Sequence, residues 1–359
     1  MPPRLFSCLP LAFLILSLQE NPQLQNPTPL HRHEAQRTLM GTTVRIVLYA
    51  PDKTTADHAL ETAFARIADL EQVMSDYDPE SELSQLNSQA GQGQILVSPD
   101  LFRILATAQD LARKTSGAFD PTVGPLVRQW RRAFRNRQMP TPKNLAQALA
   151  LTGYQNVLLD PQQQTASLAK PGMKLDLGGI GKGFAADEAL QILRDLGLPR
   201  ALVAIAGDVV TGEPPPHAVG WKVEIASPLG LDQPRLETLL LANQAVSSSG
   251  DLERFVEILG TRYSHIVNPR TGLGVVDRAQ ATVVAPSGTL ADALATTLFV
   301  LGPDAGLNLL QTEFPQTAAL HLRVKTASPP LPHTLQNAHT PSWSRIPRLG
   351  PSANPLPPP

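Results

Sequence analysis

The residues Asp176-Leu177-Gly178-Gly179-Ile180-Gly181-Lys182-Gly183-Phe184-Ala185-Ala186-Asp187 bring glycines, carboxylates and a lysine together. Glycine lets backbone approach a ligand closely, and N–H groups opening a helix favour an anion. Lys182 adds a flexible positive charge. A phosphate or pyrophosphate suits such a loop. It is neither familiar phosphate loop: G-x-x-x-x-G-K-[ST] needs Ser or Thr where Gly183 stands, and G-x-G-x-x-G is absent. A tight turn packing a helix against a strand explains the same glycines.

A second group is Ala291-Asp292-Ala293-Leu294-Ala295-Thr296-Thr297. Asp292 and Thr296 are four apart and share a helix face, so a carboxylate and a hydroxyl beside small alanines offer oxygen ligands to a hard cation such as Mg²⁺. A carbonyl of the glycine loop could complete it. An aspartate near the positive end of a helix needs no cation to explain it. His265, in Arg262-Tyr263-Ser264-His265-Ile266-Val267-Asn268-Pro269-Arg270-Thr271-Gly272, titrates in the range of a general base, or is a histidine hydrogen-bonded at a strand end. Ser247-Ser248-Ser249-Gly250-Asp251 reads as a ligand-binding stretch or a turn. Tyr77 and Met40 offer surfaces for an aromatic ring, or core. Asp120 offers an acceptor for a base amine, or a turn cap.

The elements that must position these groups follow from periodicity. Met173, Leu175 and Leu177 alternate with polar residues as in a short strand. Apolar residues three and four apart from Phe184 to Leu193 predict a helix after the glycines. Thr42–Ala50 predicts a strand and Thr54–Met74 an amphipathic helix. Ser98-Pro99 predicts a helix start, with the helix ending at Gly117. Arg128–Arg137 reads as a basic, solvated helix face. Strands are predicted at Ala201–Ile205, Trp221–Ala226, Leu236–Ala242, Tyr263–Val267, Ala281–Ala285 and Thr317–Val324, and a helix from Ser287 to Leu301, closed by Gly302-Pro303. The irregular mixture predicts α+β rather than a regular parallel α/β fold.

The chain has 359 residues, a net charge of −1 and 42% hydrophobic residues, which suits a packed core and argues against a nucleic-acid or polybasic membrane binder. Met1-Pro2-Pro3-Arg4 and the apolar run Leu9–Leu18 read as a signal peptide or N-terminal anchor over residues 1–19. Cys8, the one cysteine, precedes that run, so neither a disulfide nor thiol chemistry is expected of a processed chain. Residues 20–36 read as a linker. The main domain spans 37–325, and 326–359 is a Pro-rich tail expected to be disordered.

Taken in order, several stretches resemble the ApbE family, the FAD:protein FMN transferases. They are Met40-Gly41-Thr42; Met74-Ser75-Asp76-Tyr77-Asp78 with Ser81 to Asn87; Gly117 to Val127 with Trp130; Asp176 to Asp187; Ser249-Gly250-Asp251; His265 to Gly272; and Ala291 to Thr296. The resemblance implies an ApbE-like, T-fold-related α+β architecture with the flavin between two parts. It implies Mg²⁺-dependent transfer of FMN from FAD to a Ser or Thr hydroxyl of a target flavoprotein, with release of AMP. Other divalent cations fit the same oxygen site. By position, Met40, Tyr77, Ala118, Phe119, Asp120, Asp176, Lys182 and Ile266 look like FAD contacts. Gly179, Asp292, Ala295 and Thr296 look like the metal site, with Ala295 bringing only backbone or steric room. His265 is the implied base, Asp176 its rival, and Lys182 the neutralising cation. The family often has Gly where Ala206 stands, Thr where Ser248 stands, Asp where Asn268 stands and Ala where Gly181 stands. It is usually exported or membrane-anchored, so a location on the periplasmic side, free or held to the inner membrane, is expected. The rival readings are a metal-dependent FAD pyrophosphatase, using water at the same site, and an FAD-binding protein without turnover.

Overall fold

The computed structural model describes residues 29–227, 236–251, 254–276 and 278–324, and the backbone of 341–345. β1 (His31–Leu39) and β2 (Thr42–Ala50) form a hairpin around Met40-Gly41, both at positive φ. Such a turn matches the twist of a two-residue hairpin. β1 lies at the sheet edge and is largely charged and polar, which suits an edge. Residues 31–36, expected as linker, belong to it, because an edge strand needs no apolar face. The expected signal or anchor, residues 1–19, lies outside the described residues.

α1 (Lys53–Met74) is capped by Asp52, whose side chain accepts from the Thr55 N–H, and buries Leu60, Phe64, Ile67, Leu70 and Met74. The chain then leaves the sheet for a helical excursion: α2 (Glu82–Ser88), β3 (Ile95–Leu96), α3 (Pro99–Lys114), α4 (Gly124–Asn136), α5 (Pro142–Ala150), β4 (Val157–Asp160) and β5 (Thr165–Leu168). Ser98 caps α3 as its sequence predicts. α2 and α5 carry too few turns for periodicity to announce them.

α6 (Gly181–Asp195) leads back to β6 (Ala201–Ile205) and β7 (Asp208–Thr211). There follow a side hairpin, β8 (Trp221–Ile225) with β9 (Glu237–Leu241), then β10 (Ala245–Gly250), a second hairpin, β11 (Phe255–Ile258) with β12 (Thr261–Ser264), then β13 (Ala279–Ala285), α7 (Gly288–Glu313), β14 (Ala318–Val324) and β15 (Pro341–Arg345). The main sheet runs β1-β2-β6-β7-β10-β13-β14-β15, antiparallel at every pairing described. α1, α6 and α7 cover one face. Val47, Leu202 and Ala204 pack under Trp221 on the other. This is α+β, with helices laid on one face of an antiparallel sheet.

Three local expectations are corrected. Met173, Leu175 and Leu177 are buried, but 173–177 joins no ladder. Its backbone is satisfied by the Asn87 side chain on both groups of Leu175, by the Pro121 carbonyl on the Asp176 N–H, and by the Gly124 N–H on the Lys174 carbonyl. Ser247–Gly250 is strand β10 rather than a turn. The helix from Ser287 breaks at Gly302 (φ 75°, ψ 178°), as Gly302-Pro303 predicts, and a second helical segment carries α7 on to Glu313. Pro341–Arg345, inside the tail expected to lack order, pairs with β14. α7 is long and apolar enough to cross a membrane, yet it packs on β10 and β13 with Leu294, Leu298 and Phe299 buried.

Candidate active site

The glycine turn and α7 meet. Ile180, the residue before α6, supplies no side-chain cap, so the first-turn N–H groups find other partners, Gly181 donating to the Leu177 carbonyl at 2.8 Å. The Gly183 N–H donates to Asp292 Oδ2 at 3.2 Å. Glycine is required there by contact: a Cβ on Gly183 would lie 2.1 Å from the Gly288 carbonyl oxygen. A Cβ on Gly179 would lie 3.1 Å from Thr296 Oγ1 and 3.5 Å from the Phe119 ring, which places the turn directly against the Asp292 helix. Thr296 Oγ1 is also 3.3 Å from Ser249 Oγ at the end of β10. Ala295 is fully buried. Asp187 accepts from the Gly288 and Thr289 N–H groups, fixing α7 to α6.

Lys182 is held between two carboxylates. Its Nζ is 3.2 Å from Asp292 Oδ2 and 3.0 Å from Asp208 Oδ2, and it donates to the Gly178 carbonyl at 3.3 Å. Asp208 Oδ2 is buried and close enough for charge pairing, but off the line that a hydrogen bond needs. Ser247 Oγ donates to the other Asp208 oxygen. Burial first, and then Asp208, push the Asp292 carboxyl up to about 7. Burial opposes the Lys182 charge, but Asp292 and Asp208 outweigh it and hold the amine above its ordinary value. Lys182 keeps 28% of its side chain exposed, so the amine can turn from these partners to a ligand.

Oxygen donors lie close together here: the Asp292 carboxylate and Thr296 hydroxyl are one turn apart on α7, and Gly179 lies against Thr296. Among the described residues no cluster of three or more His, Cys, Asp or Glu side chains forms a ready metal site. Mg²⁺ typically needs one or two carboxylates plus substrate phosphates and waters, so the donor set fits.

His265 follows β12. Its Nδ1 is 3.1 Å from the Arg254 carbonyl, so Nδ1 carries the proton and Nε2 keeps a free lone pair in the neutral ring. The ring surface is open, but protein crowded around it lowers the pKa, and the charges of Arg254 and Lys182 act in the same direction. Asp176 Oδ1 accepts from the Gly178 N–H at 2.8 Å, and Oδ2 is 3.4 Å from Arg131. Burial and then Asp76 raise its pKa. Asp176 is therefore more encumbered than His265.

The expected flavin contacts are differently placed. Tyr77 is 75% exposed, with one ring face under the Arg131 guanidinium at 4.2 Å. Ala118 and Phe119 are buried. Asp120 caps its own turn, accepting from the Thr122 N–H and Oγ1, and clamps the Tyr154 N–H. Ile266 is half-buried against the main core. Met40 is also half-buried. The Thr43 carbonyl, just past its hairpin turn, accepts from the Ala206 N–H, at the sheet end where Asp208 begins β7. Ala206 sits at φ 52°, a backbone suited to glycine.

Asp208 and Arg131 were not found from sequence. Asp208 looked like a turn residue, and Arg131 like one arginine among several. Arg131 also pairs with Asp76 at 2.7 Å. No local signal marks Asp208, because its partners Lys182 and Ser247 come from other elements.

The ApbE family model matches residues 40–321. The FAD:protein FMN transferase of Treponema pallidum is 36% identical over 299 residues, covering 79% of this chain and 82% of that protein. The Haemophilus influenzae protein of the same name is 33% identical, covering 80% and 85%. Among solved structures, the flavin transferase ApbE from Vibrio cholerae aligns with a TM-score of 0.74 at 29% identity, covering 83% of this chain and 95% of that one. The ApbE protein of Thermotoga maritima aligns with the same TM-score at 30% identity, covering 82% and 94%.

Proposed function

We infer the function from one premise: this chain belongs to the ApbE family, and it is an FAD:protein FMN transferase. The observation that carries this to its own residues is the meeting of the glycine turn with α7, where Gly183, Lys182 and Asp292 are joined by hydrogen bonds.

FAD lies with its diphosphate over the start of α6, where the positive end of the helix and Lys182 oppose its charge. The Gly179 carbonyl, Asp292 and Thr296 would hold Mg²⁺, with Ala295 leaving it room, and the ion would supply Lewis-acid neutralisation of the diphosphate. Tyr77, Met40, Phe119 and Ile266 line the ring systems, while Ala118 and Asp120 shape the turn beside them. The acceptor's Ser or Thr oxygen attacks the FMN-side phosphorus. The bridging P–O bond breaks, AMP leaves, and the hydroxyl proton passes to His265 Nε2. Asp176 orients the turn through Gly178. Lys182 balances the charge that grows on the departing AMP. Holding hydroxyl and phosphorus together supplies much of the rate.

The acceptor is an exported flavoprotein. The apolar N-terminal run carries the enzyme to the periplasmic side, either removed there or retained as an inner-membrane anchor. Incubating the protein with FAD, Mg²⁺ and exported proteins, then viewing flavin fluorescence in a denaturing gel, tests transfer. Fluorescent bands that vanish with EDTA are expected. Free FMN without a labelled protein would mean hydrolysis, and stably bound, unconverted FAD would mean a carrier.

A further inference from the structure

We propose, building on the transferase reading above, that the arginine face of α4 is the docking surface for the acceptor protein and selects acceptors that are acidic around the modified hydroxyl. Arg128, Arg131 and Arg135 share one ridge of the helix, Arg132 stands one step round it, and Arg137 follows its end. Arg131 turns inward to Asp76 and Asp176. Arg128, Arg132, Arg135 and Arg137 are exposed, and none is ion-paired with a described residue. Like charges three and four apart on a helix repel, so a helix built for stability alone would interleave acids. The whole chain is nearly neutral, with 30 basic and 31 acidic side chains, so this concentration is local.

Its position gives it a partner. Trp130 Nε1 donates to the Gly272 carbonyl at 2.8 Å, in the loop that follows His265, and Arg131 reaches Asp176. α4 therefore flanks the site through Arg131, and Arg128 and Arg135 lie on the same ridge beside it. The acceptor is the protein that must reach His265, so it is the partner this face is set to meet. Charges at the rim of such an encounter speed association and reject like-charged partners.

The test compares the full-length protein with an Arg128→Glu/Arg132→Glu/Arg135→Glu variant, and with the corresponding Gln variant should the reversal impair folding. Binding of a fluorescent, Ser-containing acidic peptide and of a neutral peptide of equal length is followed by anisotropy at low and at physiological salt. The unaltered protein should prefer the acidic peptide by about tenfold or more at low salt, and the variants should lose that preference. FAD affinity should be the same in all. Equal binding of both peptides, or a preference the variants keep, overturns the proposal. So does binding to phosphatidylglycerol vesicles that the variants lose while peptide preference is absent. If FAD is neither bound nor turned over, the transferase reading fails, whatever the peptides show.

Discussion

At the scale of single residues the account turns on which groups carry protons and which carry charge. His265 is hydrogen-bonded through Nδ1 to the Arg254 carbonyl, and its pKa is lowered. A base works deprotonated, so a lowered pKa moves the acidic limb of transfer below the ordinary histidine value of about 6.5. With Mg²⁺ saturating, so that the cation displaces the proton from Asp292, transfer should rise with pH through that limb and level off before neutrality. His265→Ala should lose about two orders of magnitude or more in rate, together with the limb, while FAD still binds. A variant that keeps the limb would move the base to Asp176. Asp292, Thr296, Lys182 and His265 stand out in the sequence as candidates because they lie in short runs that resemble the family's motifs. Asp208 does not. Its importance comes from Lys182 and Ser247, which reach it from α6 and β10, and no local pattern records such a meeting.

Elements explain why those side chains meet. α6 and α7 cross at Gly183 and Gly288, where the space for a side chain is missing, and Asp187 locks the start of α7 across the junction. Gly183→Ala should separate the helices, lower stability by about 1–3 kcal/mol in urea unfolding, and weaken FAD binding more than that loss explains. Unchanged stability and affinity would show that the crossing is looser than described. Long periodic elements could be read ahead: Thr42–Ala50 matches β2, and Thr54–Met74 lies within α1. Alternation misled at Met173–Leu177, since buried alternation arises wherever an extended segment lies on a core, whether or not a ladder pairs it. Ser247–Gly250 misled in the opposite sense. Serines suggest turns, but between β7 and β13 they face Asp208, Thr282 and Thr296 and are satisfied as strand residues.

For the whole molecule, the sheet with its helix layer supplies the α6–α7 junction, Asp208 and Met40, while the excursion between α1 and α6 supplies Tyr77, Phe119 and α4. Only the folded chain joins these two parts, through contacts such as Phe119 beside Gly179 and Arg131 on Asp176, and sequence order separates them, so composition could not show their meeting. The N-terminal run predicts that cell fractionation finds the protein on the exported side, with recovery in the cytoplasm contradicting that placement. The central claim is that one oxygen-lined junction of turn and helix drives transfer of FMN to protein. Its most direct test is to quantify AMP released and flavin bound covalently to an acceptor, for the unaltered protein and for Asp292→Ala, with and without Mg²⁺. Equal amounts of AMP and protein-bound flavin are predicted for the unaltered protein with Mg²⁺, and neither product for a folded Asp292→Ala. Transfer by that variant at the unaltered rate would contradict the account.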